Sequence, residues 1–149
     1  MIQQKKSEFL EKVLDIRRVT RVVAGGKRFR FRATVVIGDG KGRIGVGLAK
    51  GLDVAQAVEK SKRDALKNLI TIKLEDNRTI PYEVEAKYSA ARVRLKPAKA
   101  GHGLIAGGAC RVVLELAGVK DISAKVLGRT SNKLTNALAT IEALKQIKY

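Results

Sequence analysis

Between Arg28 and Ile37 the chain alternates strictly. Arg28, Arg30, Arg32 and Thr34 occupy one set of positions, and Phe29, Phe31, Ala33, Val35 and Ile37 occupy the other. Successive side chains on a strand point to opposite faces, so this spacing predicts a β-strand with one cationic and one apolar face. The stretch GDGKG, residues 38–42, then interrupts the pattern with Asp-Gly turn chemistry. A second alternation follows, with Ile44, Val46 and Leu48 on one side and Gly45, Gly47 and Ala49 on the other. The two runs predict a hairpin, preceded by DIRRVTRVV as a third strand and KSEFLEKVL as a short helix. Phe29 and Phe31 fall on the face of Val35 and Ile37, which assigns them to core packing.

Glycines at this density among cations suit either the phosphates of a small nucleotide or a far larger polyanion. Gly40, Gly42 and Gly45 satisfy GxGxxG, but a dinucleotide fingerprint needs a helix directly after the glycines, to turn its free amides toward the pyrophosphate. Here a strand pattern follows instead. A Walker loop fails as well, because Gly26-Lys27 is followed by Arg28 and Gly40-Lys41 by Gly42, with no hydroxyl for magnesium. The glycines are therefore assigned to the turn and to close backbone approach.

Charge decides between the two anions. The 149 residues hold 31 Lys plus Arg against 14 Asp plus Glu, a net charge of +17. Residues 21–50 carry the densest cluster, in which Asp39 is the only acid. Such an excess repels itself and is tolerated where a polyanion neutralises it, so nucleic acid is the expected partner. A membrane surface is the weaker candidate, since no window approaches about 18 consecutive apolar residues and no signal-peptide pattern opens the chain. With 45% apolar residues the chain can still fold around a core. Three Phe, three Tyr and no Trp argue against a single-strand reader built on stacking platforms and favour phosphate and shape contacts on folded RNA. Cys110 and His102 each stand alone, so no disulfide, metal site or cofactor is expected, and the compartment is expected to be reducing.

After Gly51 the period changes to that of a helix. Asp53 is its N-cap, with Gln56 three residues on in an approximate capping box. Val54, Val58, Ser61, Ala65 and Leu69 share one face, and Lys60, Arg63 and Lys67 the opposite one. The segment KLEDNRTIPYE, with Pro81, marks a boundary between lobes at 1–74 and 75–149. The second lobe reads as strands near Glu83–Lys87 and Ala91–Lys96, then a glycine-rich loop from Gly101 to Gly108. A helix ACRVVLELA stopped by Gly118 follows, then a strand DISAKVL and a last helix starting near Ser131 or Asn132. That last helix places Leu134, Leu138, Ile141 and Leu144 on its buried side. The fold class is α+β in two small lobes, the first with the order helix, three strands, helix of a double-stranded-RNA-binding module.

The stretches RVTRVVAGGKRFRFRATVVIGDGKGRIGVGLAKG, TIPYEVEAKYSAARVRLKPAKAGHGLIAGGACRVVLELAGVKDISAK and GRTSN resemble, in order, the bacterial-type small-subunit ribosomal protein five family. The resemblance runs from about Leu10 to Leu144. It implies a first lobe similar to a double-stranded-RNA-binding domain and a second lobe of the family's own superfold. It also implies binding to 16S rRNA, contacts with ribosomal proteins four and eight, a place beside the channel that admits mRNA, and roles in assembly and decoding accuracy. By position, Val22 to Phe29 matches the family's loop that reaches RNA near the spectinomycin-binding region. Gly101 to Arg111 matches the segment linked to accuracy and to protein four. The chain departs from the family at Ala24, usually lysine, at Tyr82-Glu83 and at NKLTNAL.

Residues and resemblance together give a binding protein rather than an enzyme. Arg18, Arg21, Gly25, Gly26, Lys27, Arg28, Arg30, Arg32, Lys41, Arg43, Lys50, Lys99, His102, Arg129 and Asn132 are expected at RNA. Gly101, Gly103, Gly107, Gly108 and Arg111 are expected in the protein-contact and accuracy segment. Two other readings stay open. The family's superfold is shared with small-molecule kinases, and GLIAGGA is faintly similar to their phosphate loop, though without serine hydroxyls. The chain could also be a free-standing RNA-binding module outside the ribosome. The expected location is a cytoplasmic or organellar ribosome.

Overall fold

The structure is a computed structural model that describes residues 8–148. Two four-stranded sheets and three helices alternate as an α+β fold. In the first sheet β1 (Leu10–Val23), β2 (Gly26–Gly38), β3 (Arg43–Gly51) and the two-residue β4 (Ile70–Thr71) lie side by side in that order, all antiparallel. Helix α1 (Val54–Lys67) covers one face of it. Asp53 caps α1 as expected: its carboxylate accepts the Gln56 amide at 2.7 Å, and the Gln56 side chain accepts the Leu52 amide at 2.9 Å.

The short helix expected over KSEFLEKVL is corrected where it is described. Leu10 to Leu14 belong to β1, and the part before Glu8 lies outside the described residues. The reason is tertiary: β1 pairs with β2 from Leu10↔Gly38 to Val23↔Gly26, with a bulge between Val13 and Asp15, and a continuous ladder overrides a weak local helix preference. The first lobe thus reads strand, strand, strand, helix, strand among the described residues. On α1 the expected face is shifted too: Ala57, Ser61 and Ala65 are buried, whereas Val54 is exposed.

The glycines on β3 explain how close α1 sits. A Cβ at Gly47 would overlap the Ser61 carbonyl oxygen and the Ala65 amide nitrogen of α1. The Ser61 hydroxyl reaches the Ala33 carbonyl at 2.8 Å, which ties helix to sheet in the buried layer. The close approach anticipated from glycine spacing is therefore to the protein's own helix.

From Ala33 to Gly38 every residue of β2 is buried, so here the two-face alternation ends. Val35 and Ile37 pack with Ala65 under α1, while Val36, Ile44 and Val46 on the other face join the cluster that contains Val113, Leu114 and Ile122. Full burial of a Val or Ile side chain stabilises by about 1.5–3 kcal/mol, so these three residues bind the lobes into one hydrophobic unit.

The second sheet has the order β5 (Val84–Tyr88), β6 (Ala91–Pro97), β8 (Ile122–Val126), β7 (Leu104–Ile105), with β7 parallel to β8. Helix α2 (Gly108–Ala117) packs on β2 and on α3 (Lys133–Lys145), which covers β5 and β6. Gly118 ends α2 in the left-handed region at φ 89°, as its lack of a Cβ permits. The buried side of α3 is broader than expected: Ala137, Ala139, Thr140 and Ala143 join Ile141 and Leu144, while Leu134 and Leu138 are half-buried.

The GDGKG turn is docked on the last turn of α2. The Gly40 amide donates to the Leu116 carbonyl and the Gly42 amide to the Ala117 carbonyl, both at 3.0 Å. These bonds satisfy carbonyls that a helix C-terminus leaves without partners. Asp39 braces the turn from inside: its carboxylate accepts the Lys41 amide at 2.8 Å, the Arg43 amide at 3.1 Å and the Arg43 Nε at 2.7 Å. Burial raises the Asp39 pKa, but Arg43 and the two amides outweigh it and hold the carboxyl below its ordinary range. The stabilisation is complete above the unfolded-chain value of about 3.9 and fades as pH falls through the lower folded value. Asp39→Ala is expected to cost about 2 kcal/mol at pH 7. The urea midpoints of variant and parent should converge as pH drops into the acid range, which equilibrium unfolding at several pH values checks.

Candidate nucleic-acid interface

Strand β3 stops at Gly51, opposite Phe31, whereas β1 and β2 continue to their turn at Ala24-Gly25. Residues 19–30 therefore project as a two-stranded ribbon. The register divides its side chains between two faces. Arg21 lies across from Arg28, Val19 from Arg30, and Arg17 from Arg32, which is itself across from Lys50 of β3. Arg18, Thr20 and Val22 oppose Phe31, Phe29 and Lys27 on the other face.

The first face concentrates like charge. Val19, Arg21, Arg28, Arg30 and Lys50 of this face, together with Thr20 between Val19 and Arg21 in the chain, line a concavity of about 300 Å³. Like charges directly across a ladder destabilise it, by roughly 0.2–1 kcal/mol for an exposed pair. Among the described residues no carboxylate forms an ion pair with Arg21, Arg28, Arg30, Arg32 or Lys50. The arrangement calls for an external anion with several negative charges spaced along a strand-sized span. Arg17 belongs to this face too, although sequence reasoning does not single it out. It is partly committed, since its Nε donates to Asp15 at 2.8 Å. The spacing Arg17, Val19, Arg21 after Asp15 carries the signal.

Three residues expected at the same site stand apart from this face. Arg18 is on the opposite side, with its guanidinium 4.6 Å from the centre of the Phe29 ring. Lys27 shares that side near the tip. Arg43 is bound to Asp39, pairs with Glu8 at 3.4 Å and lies over the Phe9 ring at 4.8 Å. Its hydrogen bond to Asp39 raises its pKa above the ordinary value, so its first role is structural. Lys41 is exposed in the docked turn, and Gly25 and Gly26 form the open tip, where a Cβ would meet nothing within 4 Å. Phe29, expected in the core, is 48% exposed because α1 covers the sheet only from Ala33 onward.

Most of the second-lobe residues lie in or beside the loop before α2, whereas Arg129 and Asn132 lie between β8 and α3. Lys99 and His102 are exposed, and the His102 amide donates to the Lys99 carbonyl at 3.1 Å. Gly101 and Gly103 adopt positive φ, and the Gly103 amide donates to the Asp121 carboxylate at 2.9 Å. That bond is the main reason the Asp121 pKa lies below its ordinary value, with Arg78 adding to it against the opposing effect of burial. Arg78 reaches Asp121 at 3.3 Å and the Ala98 carbonyl at 3.0 Å, so the segment joining the lobes also holds this loop. Leu104 and Ile105 are used as β7, which the sequence did not foretell, so the second and third residues of GLIAGGA lie in a strand parallel to β8. Gly107 and Gly108 open α2 with no side-chain cap, and Arg111 is exposed one turn later. Arg129 is exposed after β8, whereas the Asn132 side chain accepts the Leu134 amide at 3.2 Å and caps α3. One departure from the family pattern thus has a structural use, since the Tyr82 hydroxyl accepts the Lys148 amide at 2.7 Å, whereas Asn132, the cap of α3, belongs to the GRTSN stretch that resembles the family.

Comparison with known proteins fits this architecture. The family model described as Ribosomal protein S5, N-terminal domain, matches residues 9–73, and Ribosomal protein S5, C-terminal domain, matches residues 86–149. Small ribosomal subunit protein uS5 of Gloeobacter violaceus is 51% identical over 145 residues, covering 97% of this chain and 65% of that protein. Small ribosomal subunit protein uS5c of Spinacia oleracea is 51% identical over 140 residues, covering 94% of this chain and 45% of that protein. Small ribosomal subunit protein uS5 of Campylobacter jejuni is 48% identical over 149 residues, covering 99% of both chains. The chain thus spans less than two thirds of the first two relatives and nearly the whole of the third. With both halves of the fold matched and a full-length relative at this identity, the chain belongs to the ribosomal protein S5 family.

Proposed function

We propose that this protein is a structural constituent of the small ribosomal subunit that binds 16S rRNA, in a bacterial cytoplasmic or an organellar ribosome. The single observation that carries the reading is the facing of like charges on β1, β2 and β3, with Arg21 across from Arg28 and Arg17, Arg32 and Lys50 on one rung. A ribose-phosphate backbone supplies the spaced negative charge that such a face lacks. Arg21, Arg28, Arg30, Arg32 and Lys50 form the centre of this interface, with Gly25 and Gly26 at its tip, Lys27 beside them on the opposite face and Lys41 in the turn at the other end of β2. Lys99, His102 and Arg129 of the second lobe make further RNA contacts. The loop Gly101–Gly108 with Arg111 meets ribosomal protein four and serves decoding accuracy. Ribosomal protein eight and mRNA at its channel complete the neighbourhood. The division of labour between lobes falls at the segment around Leu74.

Catalysis has no support in this arrangement. Its product is a bound RNA, held by charge and shape. Six to ten phosphate contacts make RNA affinity fall roughly 10³- to 10⁵-fold between 50 and 200 mM salt, by analogy with duplex DNA. Filter binding of purified protein to 16S rRNA across that salt range is expected to show this steep loss. A flat response would remove the electrostatic mechanism. Co-sedimentation with small subunits after a high-salt wash separates a ribosomal constituent, which stays bound, from a free-standing RNA-binding module, which is released.

A further inference from the structure

We propose that the second face of the β1–β2 ribbon is a stacking platform for one unpaired RNA base, with Phe29 as the ring. The inference rests on the RNA-binding reading above and assigns a different chemistry to a different face. On alternation alone Phe29 belongs with Val35 and Ile37 under α1. Yet it is 48% exposed, and Val22, one rung nearer the tip, is 76% exposed. A large aromatic ring half in water on a projecting ribbon keeps apolar surface that the Arg18 guanidinium does not cover, and its surroundings say what fits it.

Arg18 lies over the Phe29 ring at 4.6 Å, so the ring already holds a cation on its π-face. Lys27 and Val22 form the next rung toward the tip, and Thr20 faces Phe29 directly. The face formed by Arg18, Thr20, Val22, Lys27, Phe29 and Phe31 carries two positive charges and no carboxylate. Its occupant must offer a flat apolar surface and negative charge within a few ångströms of each other. An unpaired nucleotide does so: its base lies against the Phe29 ring and Val22, and its phosphate meets Lys27 or Arg18. A paired helix cannot use this face, because its bases are stacked on one another. The ribbon then grips RNA from two sides, by charge on the Arg28 and Arg30 face and by stacking on the Phe29 face.

The two faces respond differently to salt, and this separates the inference from the reading beneath it. Phe29→Leu keeps an apolar side chain but removes the ring. It is expected to weaken binding to in vitro transcribed 16S rRNA by roughly 5- to 100-fold, in the range found for loss of one stacked base. The slope of log affinity against log salt should stay unchanged, because every cation that meets a phosphate is still present. Phe29→Trp introduces the sole tryptophan of a chain that has none, and its emission should be quenched when 16S rRNA is added but not when a fully paired RNA duplex is added. Parental affinity in the Phe29→Leu variant, or unquenched emission with bound 16S rRNA, overturns the platform. Quenching by an acidic small-subunit protein in place of rRNA overturns it too, in favour of a protein contact. If the parent protein shows no salt-sensitive binding to 16S rRNA at all, the RNA-binding reading itself fails.

Discussion

Replacing Arg28 and Arg30 together by glutamate is expected to make the salt dependence of 16S rRNA binding shallower by about two units of slope, one for each phosphate no longer neutralised. Affinity at 50 mM salt should fall by roughly two orders of magnitude or more, since two attractions become repulsions. Both residues lie on the face that also carries Arg21, Arg32 and Lys50, and neither forms an ion pair with a described carboxylate that the change would disrupt. The variant should therefore fold, with a urea midpoint equal to or above the parent's, because like-charge repulsion across the ladder is relieved. The decisive measurement is incorporation into reconstituted small subunits, followed by sedimentation. Normal incorporation of a folded variant would show that this face is not where the RNA binds. The same substitutions on Arg18 and Arg43 should behave differently. Arg43 is held by Asp39, so its loss should lower stability first.

Gly47→Ala is expected to destabilise the protein by about 3 kcal/mol without touching any cation. The added methyl has no room, because backbone atoms of α1 at Ser61 and Ala65 occupy its place, and backbone cannot step aside as a flexible side chain would. Relief requires α1 to move off the sheet, which also stretches the bond from the Ser61 hydroxyl to the Ala33 carbonyl. Against a total stability of about 5–15 kcal/mol, the loss should appear as a lower midpoint in thermal and urea unfolding. Gly25→Ala is the matched control. Nothing lies within 4 Å of a Cβ there, so its stability should change by less than about 0.5 kcal/mol. Equal effects at the two positions would mean that glycine matters here through the unfolded chain and not through contact.

The strands are legible in the sequence because their faces differ. The alternation from Arg28 to Ile37 marks β2, and the glycines on one side of β3 mark the place of closest approach. Asp53, Gly118 and Asn132 announce helix ends by capping chemistry that acts over three residues. Features set by contacts distant in the chain are hidden from such reasoning. Leu10 to Leu14 look helical alone but gain a full ladder from β2. Val36 sits on the cationic side of its strand, and its burial comes from α2, more than seventy residues away. Alternation assigns Phe29 to the core because periodicity reports which face a residue is on, not how far a covering helix extends along that face. Within the candidate interface, alternation alone groups Arg28, Arg30 and Arg32, and the cross-strand register brings Arg21 and Lys50 to the same face. Separating Arg18, Lys27 and Arg43 from them requires the register and the Asp39 brace.

The docking of GDGKG on the C-terminus of α2 determines where this chain can change length. A glycine turn between two strands is ordinarily a place where extra residues loop out at little cost. Here Gly40 and Gly42 donate to Leu116 and Ala117, and the Gly42 carbonyl accepts the Ile72 amide at 2.8 Å. One added residue would put these three bonds out of step at once. At the opposite end of β2, a Cβ at Gly25 or Gly26 would meet nothing within 4 Å, and extra residues there would only lengthen the ribbon's reach. Natural insertions and engineered tags should therefore accumulate at the tip and be absent from the turn.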